Sequence, residues 1–157
     1  MNRSVSRLRL GGLLMVMTAS VLTAWVPARA GDAHVNRTRD GVGIQGYDPV
    51  SYFDGAPAKG TETIEYTFEG TRYRFRNAAN RDRFASDPRQ YLPQYGGFCA
   101  YAVSRGYTAS IDPLAWKIVG GKLYLNYSKR VQRLWEEDIP GNIAKGDANW
   151  PGIAAKR

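Results

Sequence analysis

The sequence predicts an α+β fold: a small antiparallel sheet made from two β-hairpins and packed by three or more helices. Three observations predict it. One stretch alternates apolar and polar residues with period two around a glycine-containing turn, and a second places two apolar-rich runs on either side of Gly120-Gly121. Each is followed by a polar cap residue and then apolar residues at helical spacing. The chain has a single cysteine, so no internal disulfide can hold it and the stability has to come from packing.

The N-terminus is read first because it changes the charge. Arg3, Arg7 and Arg9 precede an apolar run over residues 10–26, and Ala28-Arg29-Ala30 stands before Gly31-Asp32. This order predicts a secretory signal peptide over residues 1–30, and with it a periplasmic or secreted protein without stable membrane insertion after cleavage. The alternative is an uncleaved anchor, since the run is close to the shortest that spans a bilayer. The Ala-x-Ala site and the polar residues after it favour cleavage. The full chain carries 22 basic and 14 acidic residues, net +8. The signal takes Arg3, Arg7, Arg9 and Arg29 and no acid, which leaves 18 basic and 14 acidic residues, net +4. The remaining basic residues are scattered, which excludes nucleic acid as the expected partner. The mature length suits one domain with one modest core.

Residues 31–45 are polar and glycine-containing and read as a flexible leader. Asp-Pro in Gly46-Tyr-Asp-Pro-Val-Ser-Tyr-Phe53 predicts a turn into a short extended or helical piece, followed by a loop over residues 54–60. In the first hairpin Ile64, Tyr66 and Phe68 alternate with Glu65 and Thr67 before Glu69-Gly70-Thr71. Tyr73 and Phe75 then alternate with Arg72, Arg74 and Arg76. The aromatics should point inward, and the arginines should form a solvated row opposite Glu65. Asn77 caps a helix over 77–87 that Pro88 stops. Residues 116–119, Gly120-Gly121 and residues 122–127 form the second hairpin. Ser128 caps a helical region over 128–150 that Pro140 and Gly141 break or restart. No internal repeat is evident beyond two hairpins that each lead into a helix. Residues 46–151 form the expected domain and 152–157 a tail.

Between the hairpins lies Tyr95-Gly-Gly-Phe-Cys-Ala-Tyr101. Apolar residues up to Arg105-Gly106 predict a short helix over 98–105 with Cys99 in its first turn, where free N–H groups lower a thiol's pKa. The Gly96-Gly97 backbone would support the thiolate, and Tyr95 and Tyr101 could line a pocket. The opposing reading is that a free cysteine is most often inert core. No Cys-x-x-Cys is present, and the only histidine, His34, sits in the leader. A dithiol mechanism and a four-ligand zinc site are therefore excluded within one chain, and a papain-like dyad, which would require His34, is not expected. His34 reads either as an exposed polar residue or, in Asp32-Ala33-His34, as part of an N-terminal copper(II) site. That site requires the mature chain to begin at Asp32, whereas the better cleavage site leaves Gly31 first. The remaining aromatics read as core, and Glu136-Glu137-Asp138 as a solvated helix face.

Several linked motifs resemble the exported YHS domain proteins of bacteria: the segment 46–53, the hairpin Tyr66…Gly70…Tyr73-Arg-Phe75, Phe84…Asp87-Pro88…Tyr91, the cysteine segment, and Gly121-Lys-Leu-Tyr-Leu125. The match runs from about Gly43 to Trp150. Some of those relatives carry selenocysteine at the position matching Cys99, which implies a reactive chalcogen there. The resemblance makes Cys99 the candidate catalytic residue, with Tyr95, Gly96, Gly97, Tyr101, Tyr47 and Asp48 as candidate lining. The wider family includes metal-binding modules, but Ser51, Arg76 and Asn80 stand where its usual cysteines would be. Three functions are therefore carried forward. The first is thiol-based redox or detoxification chemistry at Cys99 with a redox partner or small molecule. The second is copper or zinc binding or delivery through Cys99, with His34 or a second copy of the chain as a homodimer. The third is a non-catalytic interaction domain whose cysteine is structural.

Overall fold

A computed structural model describes residues 34–156; the expected signal peptide, with Asp32 and Ala33, lies outside the described residues. The fold is α+β. Strands β1 (Thr61–Phe68) and β2 (Thr71–Phe75) form one antiparallel hairpin, and β3 (Asp112–Val119) and β4 (Lys122–Asn126) the other. Each hairpin is its own two-stranded sheet. Helices α1 (Ala78–Ser86), α2 (Pro88–Tyr91), α3 (Ala100–Ser104), α4 (Lys129–Glu136) and α5 (Ile139–Ala154) cover them. The expected caps are present: Asn77 accepts from the Asn80 N–H at 2.8 Å and Ser128 from the Val131 N–H at 3.2 Å. On the solvent face of the first hairpin Arg74 pairs with Glu65 at 2.9 Å and Glu62 at 3.0 Å, so the arginine row is an ion-pair face.

Four boundaries differ from the sequence reading. Residues expected in a flexible leader are packed: Val42 and Ile44 are buried, and Val42 bridges Arg72 in parallel. The second hairpin begins at Asp112, ahead of its aromatic residues, because a bulge between Asp112 and Trp116 hides the alternation. The helix around the cysteine is shorter than expected, and Cys99 is its N-cap. The restart expected at Pro140 and Gly141 is present: Asp138 accepts from the Gly141 N–H at 2.9 Å and starts α5 with Pro140 in its first turn. Helix α5 then runs through the expected tail to Ala154.

The largest departure is an internal repeat. A constant offset of 51 positions maps β1 onto β3 (Thr61 to Asp112) and β2 onto β4 (Thr71 to Lys122). It also maps the first 3-10 turn, Ile44–Gly46, onto Tyr95–Gly97. Both turns keep a left-handed backbone throughout, with φ of 52°, 50° and 83° in the first and 55°, 59° and 77° in the second. Hydrogen bonds repeat at the same spacing. The Gly43 N–H donates to Arg72 O and the Gln94 N–H to Leu123 O, each at 2.8 Å. Asp48 N–H donates to Ala58 O and Cys99 N–H to Ala109 O, at 2.9 and 3.1 Å. The bulges match, as do the helix caps at Asn77 and Ser128. The two units share one core, in which Ile44, Val50, Tyr73, Phe75 and Phe84 of the first meet Cys99, Ala102, Leu123 and Leu125 of the second. A second cluster around Trp135, Tyr95 and Tyr124 seats α5.

Candidate functional site

Equivalent positions of the two units, Asp48 and Cys99, each carry a buried polar side chain, and the first explains the second. Asp48 is fully buried. Its Oδ1 accepts from the N–H groups of Val50 and Ser51 at 2.9 and 3.4 Å. Its Oδ2 accepts from the Arg76 N–H at 3.1 Å and from Asn80 Nδ2 at 2.7 Å. A carboxylate with four donors is a satisfied buried acceptor. The Arg76 contact ties the Asp-Pro-Val turn to the end of β2, so Asp48 is a structural pin of the first unit.

Cys99 is 1% exposed. The Tyr127 N–H, which is the counterpart of Arg76, donates to Sγ at 3.3 Å. The N–H groups of Ala102 and Tyr101 also face the sulfur, and they are the counterparts of Ser51 and Val50. The thiol donates to Asn126 Oδ1 at 3.7 Å, and that oxygen also accepts from the Tyr101 N–H at 3.2 Å. Asn126 is fully buried and its Nδ2 has no partner. The expected lowering of the thiol pKa does not occur. Burial is the larger effect and pushes the Cys99 thiol up, against the three backbone donors that pull it down.

The donors at the sulfur are not those expected from the glycine pair. The Gly97 N–H is spent on Gln94 O at 3.1 Å and the Phe98 N–H on Tyr95 O at 3.0 Å. Gly96 and Gly97 supply the left-handed turn instead, and a Cβ at Gly96 would strike the backbone oxygen of His34. Both glycines border a separate small cavity of about 40 Å³ with Val35, Ile44 and Tyr73.

A cavity of about 290 Å³ reaches Cys99, lined also by Tyr101, Ala102, Tyr107, Ala109, Tyr127 and Val131. Tyr107 and Tyr127 are exposed and form its outer walls. Arg105 lies 4.8 Å over the Tyr101 ring and donates to its hydroxyl at 3.0 Å. Val131 is the counterpart of Asn80, so the first unit puts an amide on its acid where the second leaves an apolar wall and space.

Of the sequence-predicted lining residues, only Tyr101 joins Cys99 at this cavity. Tyr95 turns into the other cluster, where its hydroxyl donates to Asp147 Oδ1 at 2.9 Å and Ile143 O at 3.2 Å. Tyr47 bridges Lys59 in the first unit, and Asp48 is engaged as described. His34 stacks on Phe98 at 4.9 Å and lies 6.1 Å from the Trp150 ring, so it is a packing residue of the α5 side. Among the described residues no three His, Cys, Asp or Glu side chains gather into a group that could hold a metal ion. Asn126, Tyr127, Tyr107 and Val131 were not singled out from the sequence. The only local signal was that Tyr127 precedes the Ser128 cap as Arg76 precedes Asn77.

No family model, curated protein or solved structure matches this chain.

Proposed function

We propose that this protein is an exported YHS-like domain whose Cys99 acts as a nucleophile in thiol-based redox or detoxification chemistry on small molecules. The observation that carries the reading is the pairing of Cys99 with Asp48. A backbone arrangement that serves a carboxylate in the first unit faces a sulfur in the second, and there it adjoins a cavity. Donors suited to an anion favour the thiolate, while burial keeps the thiol protonated until a base or a raised pH removes the proton. In the reaction the thiolate attacks a small electrophile from the cavity side. A bond forms to sulfur, and the leaving group departs with its electron pair. The aromatic walls of Tyr101, Tyr107 and Tyr127 favour apolar or planar electrophiles over large charged ones.

The test is the pH dependence of Cys99 alkylation by iodoacetamide on the folded protein. Alkylation without denaturant, with a midpoint above the free-thiol value of about 8.5, supports the reading. A thiol that reacts only after unfolding makes Cys99 a core residue and overturns it.

A further inference from the structure

Three observations converge on the sulfur beyond its reactivity. The first is the repeat: the N–H groups of Val50, Ser51 and Arg76 that hold the two oxygens of Asp48 recur at Tyr101, Ala102 and Tyr127 around Cys99, where Tyr127 donates to the sulfur at 3.3 Å and Tyr101 to Asn126 Oδ1 at 3.2 Å. The second is Asn126. This fully buried side chain reaches the sulfur through Oδ1, which the Tyr101 N–H fixes in orientation, and the Nδ2 of the same amide is a buried donor with no acceptor. The third is room: the cavity of about 290 Å³ lies where Asn80 reaches Asp48 in the first unit. Backbone donors at the sulfur, with an unpartnered amide nitrogen on the side chain that meets it, are more than a neutral thiol can use. They match a group with two anionic oxygens one bond beyond the β-carbon, as a carboxylate is and as a cysteine sulfinate would be.

We propose that Cys99 is the site of reaction with a small hydroperoxide and that its stable oxidised form is the sulfinate, held by the second unit as Asp48 is held by the first. This rests on the nucleophilic reading of Cys99 given above. In the first step the thiolate attacks one peroxide oxygen. An S–O bond forms, the O–O bond breaks, and the departing alkoxide or hydroxide takes a proton from solvent. The sulfur is oxidised by two electrons to the sulfenic state and the peroxide is reduced to an alcohol or water. The chain has no second cysteine to trap the sulfenic acid as an internal disulfide. A second hydroperoxide then reacts in the same way at the sulfenate sulfur. A second S–O bond forms, a second O–O bond breaks, and the sulfur gives up two more electrons to become the sulfinate. The Tyr127 amide, which already donates to the sulfur, and the Ala102 amide are the backbone donors for its oxygens, and the unpartnered Asn126 Nδ2 belongs to the amide whose Oδ1 meets the sulfur.

The experiment treats the folded chain with hydrogen peroxide and reads the mass of the Cys99 peptide, with thermal unfolding of the oxidised product. The expected result is addition of two oxygen atoms at Cys99, with an unfolding midpoint equal to or above that of the thiol form. A stable product with one or three added oxygens, or a sulfinate that lowers the midpoint by several degrees, overturns the proposal. A Cys99→Asp variant supplies a second measurement that needs no thiol chemistry. It is expected to fold and to melt no lower than Cys99→Ala, whereas an unfolded Cys99→Asp overturns the match between the two units. Iodoacetamide labelling separates the failures. Labelling without oxidation by peroxide removes this inference and leaves the nucleophilic reading, and no labelling of the folded chain removes that reading itself.

Discussion

The two units of this chain solve the same burial problem with different side chains. Asp48 fills its surround: each oxygen receives two donors, and Asn80 closes the last position. Cys99 underfills the equivalent surround, leaving the Asn126 amide donor idle and a cavity beside Val131. A site fully matched to its side chain contributes stability and little else. A site with spare donors and spare volume gives up some stability and leaves space for chemistry. Under the proposed function the first unit is scaffold and the second holds the reactive group.

The comparison is most easily broken at Asp48. Replacing it with alanine leaves four donors without an acceptor, and at about 1 kcal/mol or more for each the loss should reach about 4 kcal/mol. Cys99→Ala, which removes a weakly bonded thiol, should cost about 1–2 kcal/mol. Chemical denaturation of both variants measures the difference, and equal losses would mean that the two surrounds are not used differently. A smaller effect sharpens the equivalence. Val131→Asn gives the second unit the amide that Asn80 gives the first. It should lower the midpoint of Cys99 alkylation by about one pH unit, the size of one added charge-assisted hydrogen bond. An unmoved midpoint would deny that Val131 and Asn80 are counterparts.

The smallest effect is in stability against pH. Burial raises the Cys99 thiol above its ordinary range, so the unfolded chain loses this proton first. The stabilising contribution is complete below the free-thiol value of about 8.5 and is lost as pH rises from there through the folded pKa. The stability of wild type relative to Cys99→Ala should therefore decline across that window. Buried tyrosines titrate upward too, Tyr73 to about 12, but they are common to both proteins and cancel in the difference. A difference that stays flat with pH would mean that the sulfur does not titrate differently on folding.

Much of the fold was legible because its signals are local. Period-two aromatics marked the first hairpin, a Gly-Gly turn marked the second, and Asn77 and Ser128 marked two helix starts. The repeat was not legible, because its physical content is backbone geometry that many side chains can satisfy. Under the offset only a few positions keep the same residue, such as Gly46 and Gly97, Gly70 and Gly121, Tyr73 and Tyr124, and Asp87 and Asp138. The left-handed turn uses Ile44-Gln45-Gly46 in one unit and Tyr95-Gly96-Gly97 in the other. The cysteine itself was legible as the chemical oddity of the chain, but its neighbours were not. Tyr107, Tyr127 and Val131 come from three segments, and only the packing of β4 and α4 against the Cys99 turn brings them together. The direction of the thiol's pKa differs from the expectation because the sequence shows a helix start and does not show that the sulfur is buried there.

The shared core bears on how the chain acquires its structure. The Gln45 side chain donates to Ile111 O at 2.8 Å, and the Tyr52 hydroxyl donates to Pro113 O at 2.9 Å. Val50, Tyr52 and Phe75 belong to the same cluster as Ile111, Leu123 and Leu125. As the chain emerges N-terminus first, the leading unit has its hairpin and its Asp48 pin but faces solvent with the apolar side that the trailing unit is meant to cover. Local turns can form early, while cooperative folding waits for the trailing hairpin to arrive, and a stalled or truncated chain would present a sticky half-core to its neighbours.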